Sequence, residues 1–337
     1  SGRVLTSAEG QAVLERYRDA SAAWAEHDRI GRASTVVAAA DAHWQLIRET
    51  IDAKRIAGKR FKVLLDSNHG SGSVLGTLML EELGCELTVL GGSPDGQFEH
   101  PPEPLAENLS GVLDEVRRTD ADIGFCQDPD ADRLAIIDET GRYLGEETTM
   151  ALCVDHVLRH AEGAIVTNCS TSRMTEDLAQ KYGAPFFRSP VGEANVVEVM
   201  EEQAAILGGE GNGGVIDPRV GLVRDSFVGM ALVLDAMAER NLPVSALAAE
   251  LPHYEIVKTK MSLDSSKVPS ALAALERHFQ DAACDRMDGL RLDWPGKWLL
   301  VRASNTEPVV RAIAEAATAA EAQRLCDEAG RVIAKEA

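Results

Sequence analysis

Asp128, Asp130 and Asp132 stand at alternate positions in Asp128-Pro129-Asp130-Ala131-Asp132-Arg133, between two apolar runs, Asp122-Ile123-Gly124-Phe125-Cys126 and Leu134-Ala135-Ile136-Ile137-Asp138. Two carboxylates about 4 Å apart repel by roughly 4 kcal/mol at an effective dielectric near 20, so three in one tight loop want a cation. Oxygen-only donors select a hard ion, Mg²⁺ before Ca²⁺, with positions left open for a phosphate. An EF-hand is the competing pattern, because Glu139 falls at its twelfth position. Its sixth position needs Gly for the turn, where Arg133 stands, and its flanks should be helices rather than the buried strands these runs suggest. A solvated acidic turn is the plainer alternative.

Three other loops carry chemistry. Gly208-Gly209-Glu210-Gly211-Asn212-Gly213-Gly214 follows a strand; its glycines let backbone approach a ligand, and Glu210 and Asn212 can bond hydroxyls. A flexible hairpin turn would look the same. Arg188-Ser189-Pro190-Val191-Gly192-Glu193 places a cation and a carboxylate at a strand end, where doubly wound sheets bind ligands. Arg302-Ala303-Ser304-Asn305-Thr306-Glu307-Pro308, with Arg311 beyond, has the composition of a phosphate clamp, though a capped turn with surface arginines shares it. The Ser67–Ser73 turn, with Gly70 and Gly72, reads as a plain strand-to-helix connection and His69 as structural.

These loops need a scaffold, and from Phe61 the chain supplies one. Strands at 61–66, 86–90, 122–126, 134–138, 164–168, 185–188 and 205–208 alternate with helices at 74–83, 105–118, 146–160, 173–182, 194–203 and 227–240. Beyond about 251 the style changes to strands at 254–261, 297–301 and 309–316 and helices at 268–279 and 321–335. The expectation is α/β: two consecutive βαβ mixed-sheet domains followed by a small C-terminal α+β domain. The opening reads as a strand over residues 1–6, a helix capped by Ser7, and a second helix from about Val36 to Ala57, ended by Gly58.

Bulk properties narrow the partners. A net charge of −20 argues against nucleic acid and anionic membrane. No apolar run reaches membrane-spanning length. The cysteines at 85, 126, 153, 169, 284 and 326 form no CxxC pair or metal-ligand spacing, which suits a reducing compartment.

Taken in order, the loops resemble those of the α-D-phosphohexomutase family: phosphoglucomutase, phosphomannomutase and phosphoglucosamine mutase. Asp128-Pro129-Asp130-Ala131-Asp132-Arg133 is similar to its metal loop, DGDGDR. Gly209-Glu210-Gly211-Asn212-Gly213 is similar to its sugar loop, GExSGH, and Arg302–Pro308 to its phosphate loop, RxSGTEP. The resemblance implies residues 1–34 as the end of a first domain, then domains at 35–142 (metal loop), 143–252 (sugar loop) and 253–337 (phosphate loop). It implies reversible phosphoryl transfer between C1 and C6 of a hexose phosphate through a phosphoserine and a bisphosphorylated intermediate. Mg²⁺ would sit on Asp128, Asp130 and Asp132 with Arg133 beside it. Glu210, Gly211, Asn212 and Gly213 would hold the sugar, and Arg302, Ser304, Asn305, Thr306 and Arg311 a phosphate. A cytoplasmic monomer or homodimer is expected.

Two departures matter. The family's TASHNP-like phosphoserine motif is absent from these residues, so the chain alone is expected to be inactive. Asn212 and Gly214 replace the usual Ser and His, leaving Glu193 or a residue of the first domain as acid/base. The alternatives are phosphoglucosamine as substrate, a truncated homologue that binds phosphosugar without turnover, or another Mg²⁺-dependent phosphoryl enzyme on the same sheet.

Overall fold

Strand β1 (Lys62–Asp66) is a largely buried apolar run at the centre of a sheet, with a parallel neighbour on each edge. The computed structural model describes residues 2–20, 23–36, 39–303 and 309–335. Before β1 come α1 (Ser7–Arg18), α2 (Ala39–Arg48) and α3 (Ala53–Ala57). The cap of α1 is Thr6 rather than Ser7, because Glu9 reaches back to complete a capping box. The helix expected from Val36 to Ala57 is interrupted: Asp52 accepts from Arg55 N and starts α3 afresh. Residues 2–6 form no strand; Arg3 makes a single bridge to Leu222.

The first sheet adds β2 (Glu86–Leu90), β3 (Ile123–Gln127) and β4 (Leu134–Asp138) in the order β2-β1-β3-β4. Its parallel strands are linked through α4 (Gly72–Glu82) and α5 (Ser110–Thr119), and β4 returns antiparallel to β3. After α6 (Glu146–His160) the plan repeats. β5 (Ile165–Asn168), α7 (Met174–Tyr182), β6 (Phe186–Ser189), α8 (Glu193–Gln203), β7 (Leu207–Glu210) and β8 (Gly214–Ile216) build a sheet of order β6-β5-β7-β8. Again the last pair is antiparallel. The Asp loop and the Gly-rich loop therefore occupy equivalent places, each joining the third parallel strand to its antiparallel return. Helices α6 and α9 (Ser226–Arg240) follow the two hairpins and share one core with both sheets, through Phe125, Ile136, Val154, Leu207 and Leu232.

A short α10 (Val244–Ala249) leads to the C-terminal unit: β9 (Glu255–Ser262), α11 (Val268–His278), β10 (Ala283–Asp285), β11 (Leu290–Trp294), β12 (Lys297–Ala303), β13 (Val309–Ala316) and α12 (Ala319–Ile333). Its antiparallel sheet runs β10-β11-β12-β13-β9. One face, with Leu299, Val301, Ala312 and Ala314, packs on α11 and α12. The other, with Trp298, Leu300 and Ile313, meets Cys169 and Val191 of the middle unit. Buried Glu315 fixes that junction by accepting from Arg173 N (2.9 Å) and Trp298 Nε1 (2.7 Å). No helix among the described residues is long and apolar enough to cross a membrane.

Candidate active site

Asp128 is buried and organises its loop. One oxygen accepts from the backbone of Asp132 (3.1 Å) and Arg133 (3.0 Å), the other from Arg133 Nε (2.6 Å). Asp130 is exposed and Asp132 partly buried; the three carboxylates can each place an oxygen within 4.8 Å of the others. Burial, with the charges of Asp128 and Asp130 acting the same way against the pull of Arg224, pushes the Asp132 carboxyl up to about 7. A carboxyl so reluctant to ionise is what a cation would relieve. Glu139, the twelfth EF-hand position, turns instead to Ser245, and the flanks are strands. The Ser67–Ser73 turn supports the loop: Ser71 N donates to Pro129 O (2.8 Å), and a Cβ on Gly70 would lie 2.5 Å from that oxygen. His69 is held by Ser93 O and lies beside Asp95 and Glu99.

The Gly-rich loop is the turn of the β7–β8 hairpin. Buried Glu210 accepts from Asn168 Nδ2 (2.6 Å), Gly192 N (3.0 Å) and Arg224 Nη1 (2.6 Å), so its carboxylate is committed to the scaffold. Arg224 donates its other Nη to Asp132, and its backbone N–H to Glu193. One guanidinium thus ties the two loops together. They also touch through Leu134 N and Gly213 O (3.2 Å). Gly213 has φ +83°, and a Cβ there would fall 2.2 Å from Leu134 O. Gly213→Ala should therefore cost more than about 2 kcal/mol, from left-handed backbone plus the clash; an unchanged urea midpoint would contradict this. Asn212 Oδ1 accepts from Gly214 N. Glu193, Glu210, Gly211, Asn212 and Arg224 line a cavity of about 320 Å³. Arg188 does not line it, because its guanidinium pairs with Glu176 (2.5 Å) over the Phe186 ring.

In the C-terminal sheet Arg302 on β12 stands directly opposite Arg311 on β13, and Arg311 opposite Lys260 on β9. Three cations share one row of one face, where like charges destabilise each other. Nε of both arginines is buried with no hydrogen-bond acceptor among the described residues. The Asp288 carboxylate lies 3.0 Å from Arg302 Nε but off its N–H direction. Lys258, two residues before Lys260 and on the same face, lines the 320 Å³ cavity. Ser304, Asn305 and Thr306 lie outside the described residues.

Comparison with known proteins places this architecture. Models of the phosphoglucomutase/phosphomannomutase family match residues 41–141 (alpha/beta/alpha domain II), 146–254 (alpha/beta/alpha domain III) and 263–331 (C-terminal domain). A phosphoglucomutase/phosphomannomutase of Thermococcus kodakarensis is 37% identical over 276 residues, covering 81% of this chain and 60% of that protein. A relative described as a probable phosphoglucosamine mutase, from Thermococcus gammatolerans, is 31% identical over 335 residues, 98% of this chain and 72% of its own length. The chain belongs to the phosphoglucomutase/phosphomannomutase family. It thus spans between three fifths and three quarters of these two relatives. The X-ray structure of a family protein from Burkholderia thailandensis matches with a TM-score of 0.85 at 28% identity, covering 99% of this chain and 71% of that one.

Within this family member, sequence reasoning passed over Arg224, Asn168, Lys258, Glu146 and Glu147. Glu146 and Glu147 look like ordinary first-turn acids of α6, yet with Lys258 they line a second cavity of about 730 Å³ that shares Glu147, Gly211 and Lys258 with the first. Burial pushes Glu146 up to about 7 and Glu147 up to about 8. The folded state keeps protons that the unfolded chain releases near 4.5, so stability falls as pH rises from there to about 8. Thermal midpoints at pH 6 and pH 9 should therefore differ more for wild type than for Glu147→Gln. An equal difference in both proteins would remove Glu147 as the cause.

Proposed function

We propose that this chain carries the metal loop, sugar-reading loop and phosphate clamp of a phosphohexomutase, which moves a phosphoryl group reversibly between C1 and C6 of a hexose phosphate. The observation that carries this is the row Arg302–Arg311–Lys260, on the sheet face turned to the middle unit beside a cavity walled by Asn212 and Glu193. These three cations have only Asp288 beside Arg302, and Nε of both arginines lacks an acceptor among the described residues. Phosphoryl transfer is mostly positioning and charge stabilisation, so a fixed anion clamp and a separate hydroxyl-reading wall suit it. A substrate held by its resting phosphate in the clamp can present either end to the Asp loop.

Asp128, Asp130 and Asp132 offer carboxylate oxygen and no nitrogen or sulfur, which fits a hard divalent ion. They would hold Mg²⁺, whose charge would neutralise phosphoryl oxygens. Arg133, kept in place by Asp128 and 3.6 Å from Asp132, extends the same positive field. Glu210 positions Asn168, Gly192 and Arg224, while Gly211, Asn212 and Gly213 supply the backbone and amide that read sugar hydroxyls. Glu193 stands in the cavity wall as the candidate proton carrier. Ser304, Asn305 and Thr306 would complete the clamp; Arg188, engaged by Glu176, has at most an indirect part.

The phosphoserine that starts the cycle in this family has no motif in these residues. Turnover of glucose 1-phosphate by the purified 337-residue chain is therefore expected to be nil. Ser67, Ser71 and Ser73 are poor substitutes, since their hydroxyls already donate to Gln127, Pro129 O and Gly70 O. Measurable turnover would refute this and return attention to those three. Isomerisation assays of the full-length product on glucose, mannose and glucosamine phosphates test the reading and choose the sugar; steady phosphate release without isomer exchange would overturn it. Phosphoglucosamine is the second candidate, since several archaeal relatives carry that name. We place the enzyme in the cytoplasm, consistent with six free cysteines.

A further inference from the structure

Away from the loops, α6 and α9 lie side by side and bring His156, His160 and Glu239 together. His156 and His160 are four residues apart and so share one face of α6. Glu239, near the end of α9, reaches between them: its Oε2 is 2.8 Å from His160 Nε2 and 3.6 Å from His156 Nδ1. Each of the three side chains can place a donor atom within 4.8 Å of the others. They border a cavity of about 410 Å³ that shares no lining residue with either cavity of the active site.

The decisive group is His156. It is only 5% exposed, and its Nδ1 is buried without a hydrogen-bond partner. A buried polar nitrogen left unpaired is costly, and native structures rarely tolerate one without a reason. Its other nitrogen explains the arrangement: Nε2 lies 3.2 Å from Asp235 Oδ2, and Asp235 is gripped by Arg55 through Nε (3.1 Å) and Nη2 (2.8 Å). A carboxylate that takes the Nε2 proton as a hydrogen bond leaves Nδ1 as a bare lone pair. That is how metal-ligating histidines are held in the correct tautomer. Charge agrees, because two carboxylates, Asp235 and Glu239, share the one guanidinium of Arg55, at 2.8 and 3.5 Å.

We propose that His156 Nδ1, His160 Nε2 and Glu239 form a second metal site, for a borderline divalent transition ion such as Zn²⁺, distinct from the Asp loop. Two imidazoles and one carboxylate suit Zn²⁺ and are poor ligands for Mg²⁺. A metal needs ligand distances of about 2.0–2.2 Å, so it replaces the His160–Glu239 hydrogen bond and draws the donors slightly inward. His160 is half-exposed and free to adjust. The fourth position opens to the cavity and takes water. Such an ion clamps α6 to α9, the two helices that join the first sheet to the second.

The test is titration of metal-stripped protein with Zn²⁺ against a chromophoric chelator, with Co²⁺ absorption reporting coordination geometry. Wild type should bind one equivalent with nitrogen-containing, four-coordinate spectra, and Asp130→Asn should bind it equally. His160→Ala, a change at a half-exposed position, should weaken binding at least about tenfold, and Asp235→Asn by roughly 10- to 100-fold through loss of orientation. At a Zn²⁺ concentration just above the wild-type dissociation constant, the thermal midpoint of wild type should rise clearly more than that of His160→Ala. Because Asp235→Asn disturbs a buried network, Glu239→Gln provides the independent second variant, with the same loss expected. The proposal is overturned by the absence of wild-type binding at millimolar Zn²⁺, by equal affinity in wild type and His160→Ala, or by equal displacement with Mg²⁺.

Discussion

Arg302→Ala is expected to weaken glucose 6-phosphate binding by roughly 10- to 150-fold, because a charge-assisted hydrogen bond from Arg is worth about 1.5–3 kcal/mol. Unphosphorylated glucose should bind poorly to wild type and variant alike. The alternative is that Arg302 is an ordinary cation satisfied by Asp288, in which case its loss changes affinity by less than about 1 kcal/mol. The cross-strand row argues for the larger effect. Arg302, Arg311 and Lys260 repel one another in the free protein, and the pairing with Asp288 leaves Nε of Arg302 without an acceptor. An arriving phosphate relieves both defects at once. Calorimetric titration decides, and affinity unchanged in Arg302→Ala would remove the clamp. The clamp rests on a sheet with its own core against α11 and α12, so the substitution should leave the fold intact.

How much of this was legible beforehand follows from which forces are local. β2, β4, α6 and β13 begin and end where the sequence placed them, since each is an apolar or amphipathic run bounded by turn residues. The clustering of the three carboxylates in the Asp loop was readable because all of them come from a six-residue stretch. Arg224 was not, because its partners are Asp132, 92 positions away, and Glu210, 14 away. Nothing around residue 224 distinguishes a loop-tying arginine from one exposed before a helix cap. The C-terminal sheet lost two strands for a related reason. Leu290–Trp294 alternates as a strand should, but its buried Arg291 disguises it. That guanidinium is satisfied by Asp293, the Cys169 carbonyl and the face of Trp298, 4.3 Å away, contacts only the fold creates. β8 and α10, three and six residues long, are too short for periodicity to show.

The sharpest separation of structure from chemistry is expected within the Asp loop itself. Asp128→Ala should destabilise the protein by about 3 kcal/mol, the low end for breaking a buried pair, because Arg133 keeps 27% of its side chain exposed. It removes the acceptor for two backbone N–H groups and one guanidinium, so the loop should lose its shape and Mg²⁺ affinity together. Asp130→Asn should behave otherwise. Its side chain is exposed, so stability should stay within about 0.5 kcal/mol of wild type. Mg²⁺ binding should still weaken tenfold or more, one charged contact being worth about 1.5–3 kcal/mol. A pH series adds a third reading. Asp132, pushed up to about 7, must lose its proton to bind a cation, so wild-type Mg²⁺ affinity should rise from pH 6 to pH 8 with proton release. Identical Mg²⁺ titrations for wild type and Asp130→Asn would show that these carboxylates serve the turn and hold no ion; an affinity flat across that range would show that Asp132 is already ionised before the ion arrives.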